Sequence, residues 1–281
     1  MPEGDTVYRA ARRLDARLRG ARVERSDLRV PRYATADLAG AVVLGTASRG
    51  KHLLTRFAVG DSALPEPTTL HTHLRMDGEW TVLAPGKQLP RRLEPDVRVR
   101  LATDGGTALA LRMPVVELLP TAQEHTVVGH LGPDLLSEEL PVDAVVAEAV
   151  RRLRERPERP LKAALLDQRN LAGIGNLWAD ELCFLRGRSP WTPAGEVDLE
   201  RAVRLAVKML RFSVSAHGAP QVTTGDVRPG RQHWVSGRAG EPCRRCGTRI
   251  EVLAEVPGDP ERRRTWWCPS CQPGPQPPPA P

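Results

Sequence analysis

Val7, Ala11, Leu14 and Leu18 recur at steps of three and four, which predicts an amphipathic helix started by Asp5 or Thr6 and ended at Gly20. Its other face carries Arg9, Arg12, Arg13, Arg17 and Arg19, the pattern of a solvated surface. From about residue 22 to about residue 120 the apolar period shortens to two. The alternation predicts strands over Ala41–Ser48, His52–Phe57, Thr69–Met76, Glu79–Leu83, Val97–Thr103 and Thr107–Met113. Turn material separates them, such as Ala84-Pro85-Gly86 and Asp104-Gly105-Gly106. Many short strands at close spacing predict a sandwich or a barrel. After a linker around His130–Pro141, helical spacing returns over Asp143–Arg154, Leu161–Leu166, Asn176–Leu185 and Leu199–Ser213. A cysteine-bearing hairpin module follows at 235–272, and the terminal PGPQPPPAP is too poor in apolar side chains to build a core.

Composition narrows the class. The chain has 281 residues, 40% hydrophobic and 27% charged, enough for a multi-domain globular protein and unlike a disordered one. No run of about 18 apolar residues exists to span a membrane. The start, MPEGDTVYRAARRL, lacks the apolar stretch of a secretory signal, so a cytoplasmic location is expected. Lys and Arg exceed Asp and Glu by 41 to 34, which suits a polyanionic partner. Four of the five cysteines fall in two tight pairs, pointing to metal in a reducing compartment.

Three motifs carry chemistry. Cys243-x-x-Cys246 and Cys268-x-x-Cys271, 21 residues apart, have the spacing of a closed zinc site. Four thiolates leave no open coordination position, so such a metal folds the module and does no chemistry; two disulfides are the other reading. Arg244, Arg245, Arg249, Arg262, Arg263 and Arg264 make the module basic, a candidate phosphate clamp. The lone Cys183 reads as a buried inert thiol. Gly173-Ile174-Gly175-Asn176 precedes a helix, with Asn176 as a candidate cap. The loop is either an ordinary connection or an anion site at a helix start. Finally, removal of Met1 would expose Pro2 as a secondary amine with a pKa of roughly 8. Such an amine can attack an electrophilic sugar carbon, with Glu3 beside it as a proton donor.

Together these features resemble the formamidopyrimidine-DNA glycosylase/endonuclease VIII family, most closely its actinobacterial endonuclease VIII 2 branch. The resemblance runs from Met1 to Gln272. It rests on Pro2-Glu3-Gly4, Arg49-Gly50-Lys51, Leu131-Gly132-Pro133-Asp134, Leu165-Leu166-Asp167-Gln168, Gly173-Ile174-Gly175-Asn176 and Gly237-Arg238-Ala239-Gly240-Glu241-Pro242-Cys243, all in family order. It implies an α+β multi-domain fold. Residues 1–130 would form an N-terminal β-sandwich, 131–234 a helical domain with a helix–two-turn–helix motif, and 235–272 a zinc-finger β-hairpin, leaving 273–281 as a disordered tail. It implies a DNA glycosylase/AP lyase of base excision repair that removes oxidised bases, pyrimidines foremost, and nicks by β,δ-elimination. The implied partner is damaged double- or single-stranded DNA, the implied cofactor one structural zinc, and the implied state a monomer at the nucleoid.

Roles follow by position. Pro2 would attack C1′ and Glu3 would protonate the opening deoxyribose. Lys51 would support β-elimination and hold phosphate. Arg263 would serve δ-elimination, with Arg264 the alternative if the hairpin register slips by one, and Asn176 would grip the phosphate next to the lesion. Flipping a nucleotide requires the backbone pinned on both sides of it, which these donors would do.

Departures from the family pattern also matter. Thr6 stands where a glutamate is common, with Asp5 before it. Met76, next to Arg75, is the candidate wedge for the vacated stack, with a plain strand residue as the alternative. The Arg-rich loop of formamidopyrimidine glycosylases is not recognisable around Leu111-Arg112-Met113-Pro114, which disfavours 8-oxoguanine. His130 stands at a possible phosphate-contact position. His71 and His73, two apart on one strand face, lack a third metal ligand and read as strand or DNA-contact residues. The competing readings are a non-catalytic DNA-binding paralogue and a lyase confined to abasic sites.

Overall fold

The computed structural model describes residues 2–216, 221–256, 258–260 and 262–277. Its chain divides into two units, Met1–His130 and Leu131–Pro281. In the first, helix α1 (Gly4–Leu18) begins earlier than the apolar spacing suggests. Glu3 is its N-cap, and the Glu3 carbonyl accepts from the Val7 amide at 3.0 Å. Asp5 and Thr6 therefore lie inside the first turn, where the Asp5 carboxylate accepts from the Thr6 amide at 2.9 Å and suits the positive end of the helix. The buried stripe is Val7, Ala10, Ala11, Leu14 and Leu18.

Eight strands follow: β1 (Val23–Leu28), β2 (Val42–Arg49), β3 (His52–Ala58), β4 (Thr68–His73), β5 (Glu79–Leu83), β6 (Val97–Thr103), β7 (Gly106–Leu111) and β8 (Val115–Pro120). They form two antiparallel sheets, ordered β1-β6-β7-β5 and β2-β3-β4-β8. A short helix, α2 (His125–Val128), closes the unit. Strands β1 and β8, which the alternation does not predict, are sheet edges, as are β2 and β5. The middle of β1 is polar from Glu24 to Asp27, with only Val23 and Leu28 buried, and β8 carries Glu117, so neither run shows a clean apolar alternation. Strand β4 stops at His73, short of Met76, because Arg75 takes a left-handed φ of 49° that ends the extended run. Side chains from α1 and from both sheets share one apolar core that includes Leu14, Leu53, Phe57, Leu70, Trp80 and Leu101.

Two contacts fix how α1 lies on β2. The Gly20 amide donates to the Val43 carbonyl at 2.7 Å, and the Thr46 amide donates to the Asp15 carboxylate at 2.8 Å. The helix therefore runs antiparallel to the strand. From Asp15 back to Gly4 the helix covers about 16 Å. From Thr46 on to Lys51 the strand covers about 16 Å as well. The start of α1 therefore points along β2 toward the β2–β3 turn.

The second unit holds α3 (Val142–Leu153), α4 (Leu161–Leu166), α5 (Asn176–Arg186), α6 (Leu199–Ser215) and the hairpin of β9 (Glu251–Leu253) with β10 (Thr265–Trp267). Helix α3 packs on α6, α4 on α5, and α5 on β10. Gly175 caps α5, so Asn176 is its first helical residue and not the cap expected from its side chain. Phe184 of α5 shares an apolar cluster with Val235, Cys243, Ile250 and Cys268, so the cysteine module is fastened to the helices of its unit. Of the segment expected to lack order, 278–281 lie outside the described residues. Its beginning is held instead, because the Ser189 amide and hydroxyl donate to the carbonyls of Pro273 and Pro275 at 3.4 and 2.6 Å.

Candidate functional site

In the first unit, the β2–β3 hairpin closes through two residues. Arg49 pairs with His52, and Gly50 supplies a φ of 58° at the first turn position, as a tight hairpin requires. Lys51 occupies the second position and is half-buried. At the start of α1, Pro2 is half-buried and Glu3 has no exposed surface. A prolyl residue and a buried acid thus stand at the start of the helix that packs on β2, and a lysine stands in the turn that ends β2.

Beside Lys51 lies a group of imidazoles that sequence spacing does not reveal. Strand register sets His52 opposite His73 and His71 opposite Glu117. His52 Nδ1 and His71 Nε2 are 2.8 Å apart, and His71 Nδ1 lies 2.8 Å from a Glu117 carboxylate oxygen. The two rings are nearly coplanar at 18° with centroids 5.0 Å apart, which is an edge-to-edge hydrogen bond and not a face stack. His73 and His130 approach His52 edge-on, at 4.9 and 6.2 Å. Burial, reinforced by His73, His71, His130 and Arg75, lowers His52 to about 3. Burial, then Arg75, Lys51 and His71, lowers His73 to about 4. Both rings are neutral at pH 7. His73 Nδ1 accepts from the Arg75 amide at 3.0 Å, so its proton sits on Nε2 as a donor. Further along the sheet, Arg56 grips Glu124 through two contacts of 2.7 Å, and the Thr69 hydroxyl donates to the same carboxylate.

After His73 the chain turns through Arg75 and Met76, both exposed. Met76 keeps 61% of its surface in solvent, so it sits on a loop tip and not within a strand. Arg112 is engaged at home, paired with Asp96 at 2.8 Å and Glu79 at 3.5 Å.

In the second unit, the sulfur atoms of Cys243, Cys246, Cys268 and Cys271 all lie within 4.8 Å of one another. Cys243 and Cys271 are 3.9 Å apart and Cys246 and Cys268 3.5 Å. A tetrahedral zinc with sulfur at about 2.3 Å requires separations of about 3.8 Å, whereas a disulfide requires about 2.05 Å. The amides of Arg245 and Cys271 turn toward the Cys243 and Cys268 sulfurs, both at 3.4 Å, as tight knuckles do. Hydrogen bonds from the Thr248 hydroxyl and amide lower the Cys246 thiol to about 6. These residues fit one structural metal ion. Cys183 is wholly buried, and burial pushes its thiol far up, so it is inert.

The hairpin that carries the arginines is held by Lys162, which the sequence reading passed over, and by Asn176. Lys162 of α4 and Asp180 of α5 form a buried ion pair of 2.7 Å. Lys162 Nζ also donates to the Arg264 carbonyl at 2.6 Å and reaches the Thr265 hydroxyl at 2.9 Å. Asn176 Nδ2 donates to the same Arg264 carbonyl at 2.8 Å. The side chains of Arg263 and Arg264 stay exposed, with Arg263 near Glu255 at 3.6 Å. Glu181, also fully buried, accepts from the amides of Trp234, Val235 and Ser236 at 2.8 Å each and from the Thr223 hydroxyl. Two adjacent acids in the otherwise apolar run Leu177–Leu182 were the available signal, since buried charges need partners.

Comparison with known proteins matches this architecture. Residues 1–114 match the model of the formamidopyrimidine-DNA glycosylase N-terminal domain, and residues 131–219 that of the formamidopyrimidine-DNA glycosylase H2TH domain. The chain is 48% identical over 277 residues to a probable endonuclease 8 2 of Streptomyces coelicolor, covering 99% of this chain and 96% of that protein. It is 44% identical to the DNA-(apurinic or apyrimidinic site) lyase Nei2 of Mycolicibacterium smegmatis, covering 97% and 99%. Among solved structures, a Lactococcus lactis formamidopyrimidine-DNA glycosylase bound non-covalently to AP-site DNA shares the fold. Its TM-score is 0.74 at 23% identity, over 97% of this chain and 100% of that one.

Proposed function

This chain belongs to the formamidopyrimidine-DNA glycosylase/endonuclease 8 family of base-excision-repair DNA glycosylases and AP lyases, and we propose that it removes oxidised pyrimidines through Pro2 and nicks the strand by β,δ-elimination. What supports the reading is the near full-length likeness to an endonuclease 8 2 and an AP lyase, together with Pro2 and the buried Glu3 at the start of a helix that packs on β2 and Lys51 in the β2–β3 turn. Once Met1 is removed, the Pro2 nitrogen attacks C1′ of the flipped nucleotide, and the bond to the base breaks. Glu3, buried at the helix start, protonates the sugar ring oxygen as the ring opens to an iminium ion. The iminium acidifies the C2′ proton; loss of that proton expels the 3′ phosphate, and a second elimination expels the 5′ phosphate.

Lys51 holds phosphate beside the reacting sugar, and Arg263 serves the second elimination from its exposed loop. Asn176 spends one Nδ2 hydrogen on the hairpin and has a second for phosphate. His73 Nε2–H and His130 are further phosphate contacts, and Met76, raised on its loop, wedges into the vacated stack with Arg75 next to it. Zinc on the four cysteines stiffens the module and takes part in no step. The substrate is damaged DNA, bound by one copy of the chain. Duplex and single strands both offer the backbone these donors require.

Borohydride trapping on a lesion panel tests this. Wild type should form a covalent adduct with thymine-glycol and abasic-site oligonucleotides. Pro2→Gly should lose adduct and base release at least about 100-fold while binding DNA nearly as well. Full activity in Pro2→Gly, or an active protein that mass spectrometry finds still carrying Met1, would end the assignment. Lys51→Ala should weaken both binding and nicking. A second reading has one observation in its favour: the name of the M. smegmatis relative states only the lyase activity. Base release and nicking should therefore be measured separately, and nicking without release would select the lyase.

A further inference from the structure

Glu117, His71 and His52 are joined in series by two hydrogen bonds of 2.8 Å. Glu117 sits at the outer end, its side chain 40% exposed, whereas the His71 side chain is 4% exposed. Strand register fixes the order, because Glu117 faces His71 across β8–β4 and His52 faces His73 across β3–β4.

The chemistry of the three groups dictates where the protons lie. A carboxylate only accepts, so His71 keeps its proton on Nδ1. The neutral His71 Nε2 then accepts from His52 Nδ1–H, and His52 Nε2 is left with a lone pair. We propose that these residues form a proton relay. A proton taken up at His52 Nε2 makes a new N–H bond there, the Nδ1–H bond of His52 breaks, and that proton bonds to His71 Nε2. The charge comes to rest on His71 against Glu117, and His52 emerges neutral with its tautomer reversed. An acceptor nitrogen thereby becomes a donor.

The arrangement resolves a difficulty with His52. Burial and its neighbours make this ring a poor base if it must keep the charge itself. The neighbours that lower its pKa are His73, His71 and Arg75 from β4 and its loop and His130 from the end of the unit, with Lys51 acting on the adjacent His73. Moving the charge one ring outward places it against Glu117 and within electrostatic reach of the Glu124 carboxylate that Arg56 and Thr69 hold. His71 and Glu117 are positioning residues in this scheme, and His52 is the end that exchanges protons beside Lys51. Use of the relay in strand nicking rests on the function proposed above, whereas the relay itself does not.

The test separates the two. Long-range proton–nitrogen correlation spectra of the 15N-labelled, zinc-loaded full chain distinguish Nδ1–H from Nε2–H tautomers. On acidification from pH 8.5, His52 should pass from Nδ1–H to Nε2–H with the same midpoint as the charging of His71, never showing cationic shifts itself. Glu117→Gln removes the negative partner and keeps the shape, so both midpoints should fall together by about one pH unit or more. His71→Gln should leave His52 in one tautomer throughout. A His52 tautomer that ignores pH in the wild type, or a midpoint unmoved by Glu117→Gln, overturns the relay. Single-turnover nicking of an abasic-site duplex is then followed on the same proteins. The acid limb of the rate profile should move with the midpoint in Glu117→Gln. An unmoved limb overturns use of the relay in nicking. Spectra that behave as stated in a wild type that does not nick would sink the function and leave the relay standing.

Discussion

Four clustered cysteines of the second unit and four clustered histidines of the first are both dense groups of side chains that bind protons and metals, yet they are built in opposite ways. The sulfur atoms converge on a point. Among the described residues they are the one set of three or more ligand atoms gathered within 4.8 Å of one another. Two of the imidazoles, His52 and His71, are strung in a line, joined nitrogen to nitrogen and then to a carboxylate, with His73 and His130 edge-on to His52. Convergence suits a cation held at the centre. A line suits a proton passed along it. The difference originates in the backbone, since two-residue spacers make each cysteine pair local, whereas the histidine group comes from β3, β4 and the end of the unit.

The largest effect expected from breaking this contrast is at the cysteines. Cys268→Ser, or prolonged chelation, should release the metal and melt the β9–β10 hairpin, because structural zinc contributes on the order of 10 kcal/mol to such modules. Metal analysis and protease sensitivity of 235–272 check it, and an intact hairpin without metal would show that the sulfur cluster is only incidental. Next is the fastening between hairpin and helices. Lys162→Met strands Asp180 in the interior and should cost about 3–5 kcal/mol, measured by urea unfolding. The variant should also loosen Arg263 and Arg264, seen as faster amide exchange at Thr265.

The smallest effect belongs to the histidines and depends on pH. In the unfolded chain His52 and His73 take up protons near pH 6.5, but in the fold they resist until about 3 and about 4. Stability from these two rings is therefore complete above pH 6.5 and declines as the pH falls toward 4. The slope from His52 should be at most ~1.4 kcal/mol per pH unit. That from His73, whose ring is more open to solvent, should be smaller through screening. Urea midpoints between pH 7 and 4 measure the slope, and His52→Asn should remove the larger part of it.

The same contrast explains what the sequence disclosed. Cysteine spacing named its cluster outright, and the stripe Val7, Ala11, Leu14, Leu18 found the first helix. His71 and His73 looked like a pair without a third member because His52, 19 positions away, joins them only once β3 and β4 are in register. Lys162, Asp180 and Glu181 were missed for a related reason, since their partners lie on segments far along the chain. Residue types fix local geometry, while pairing across strands depends on long-range register that no short window contains.

That dependence makes the length of one turn as consequential as any side chain. Only Gly50 and Lys51 separate Arg49 from His52. Because faces alternate along a strand, shifting β3 by a single residue at this corner would send His52 to the opposite side of the sheet and bring Leu53 round in its place. Insertions at the corner should therefore be far less tolerated than substitutions in it, and libraries that vary this protein should hold its length fixed there.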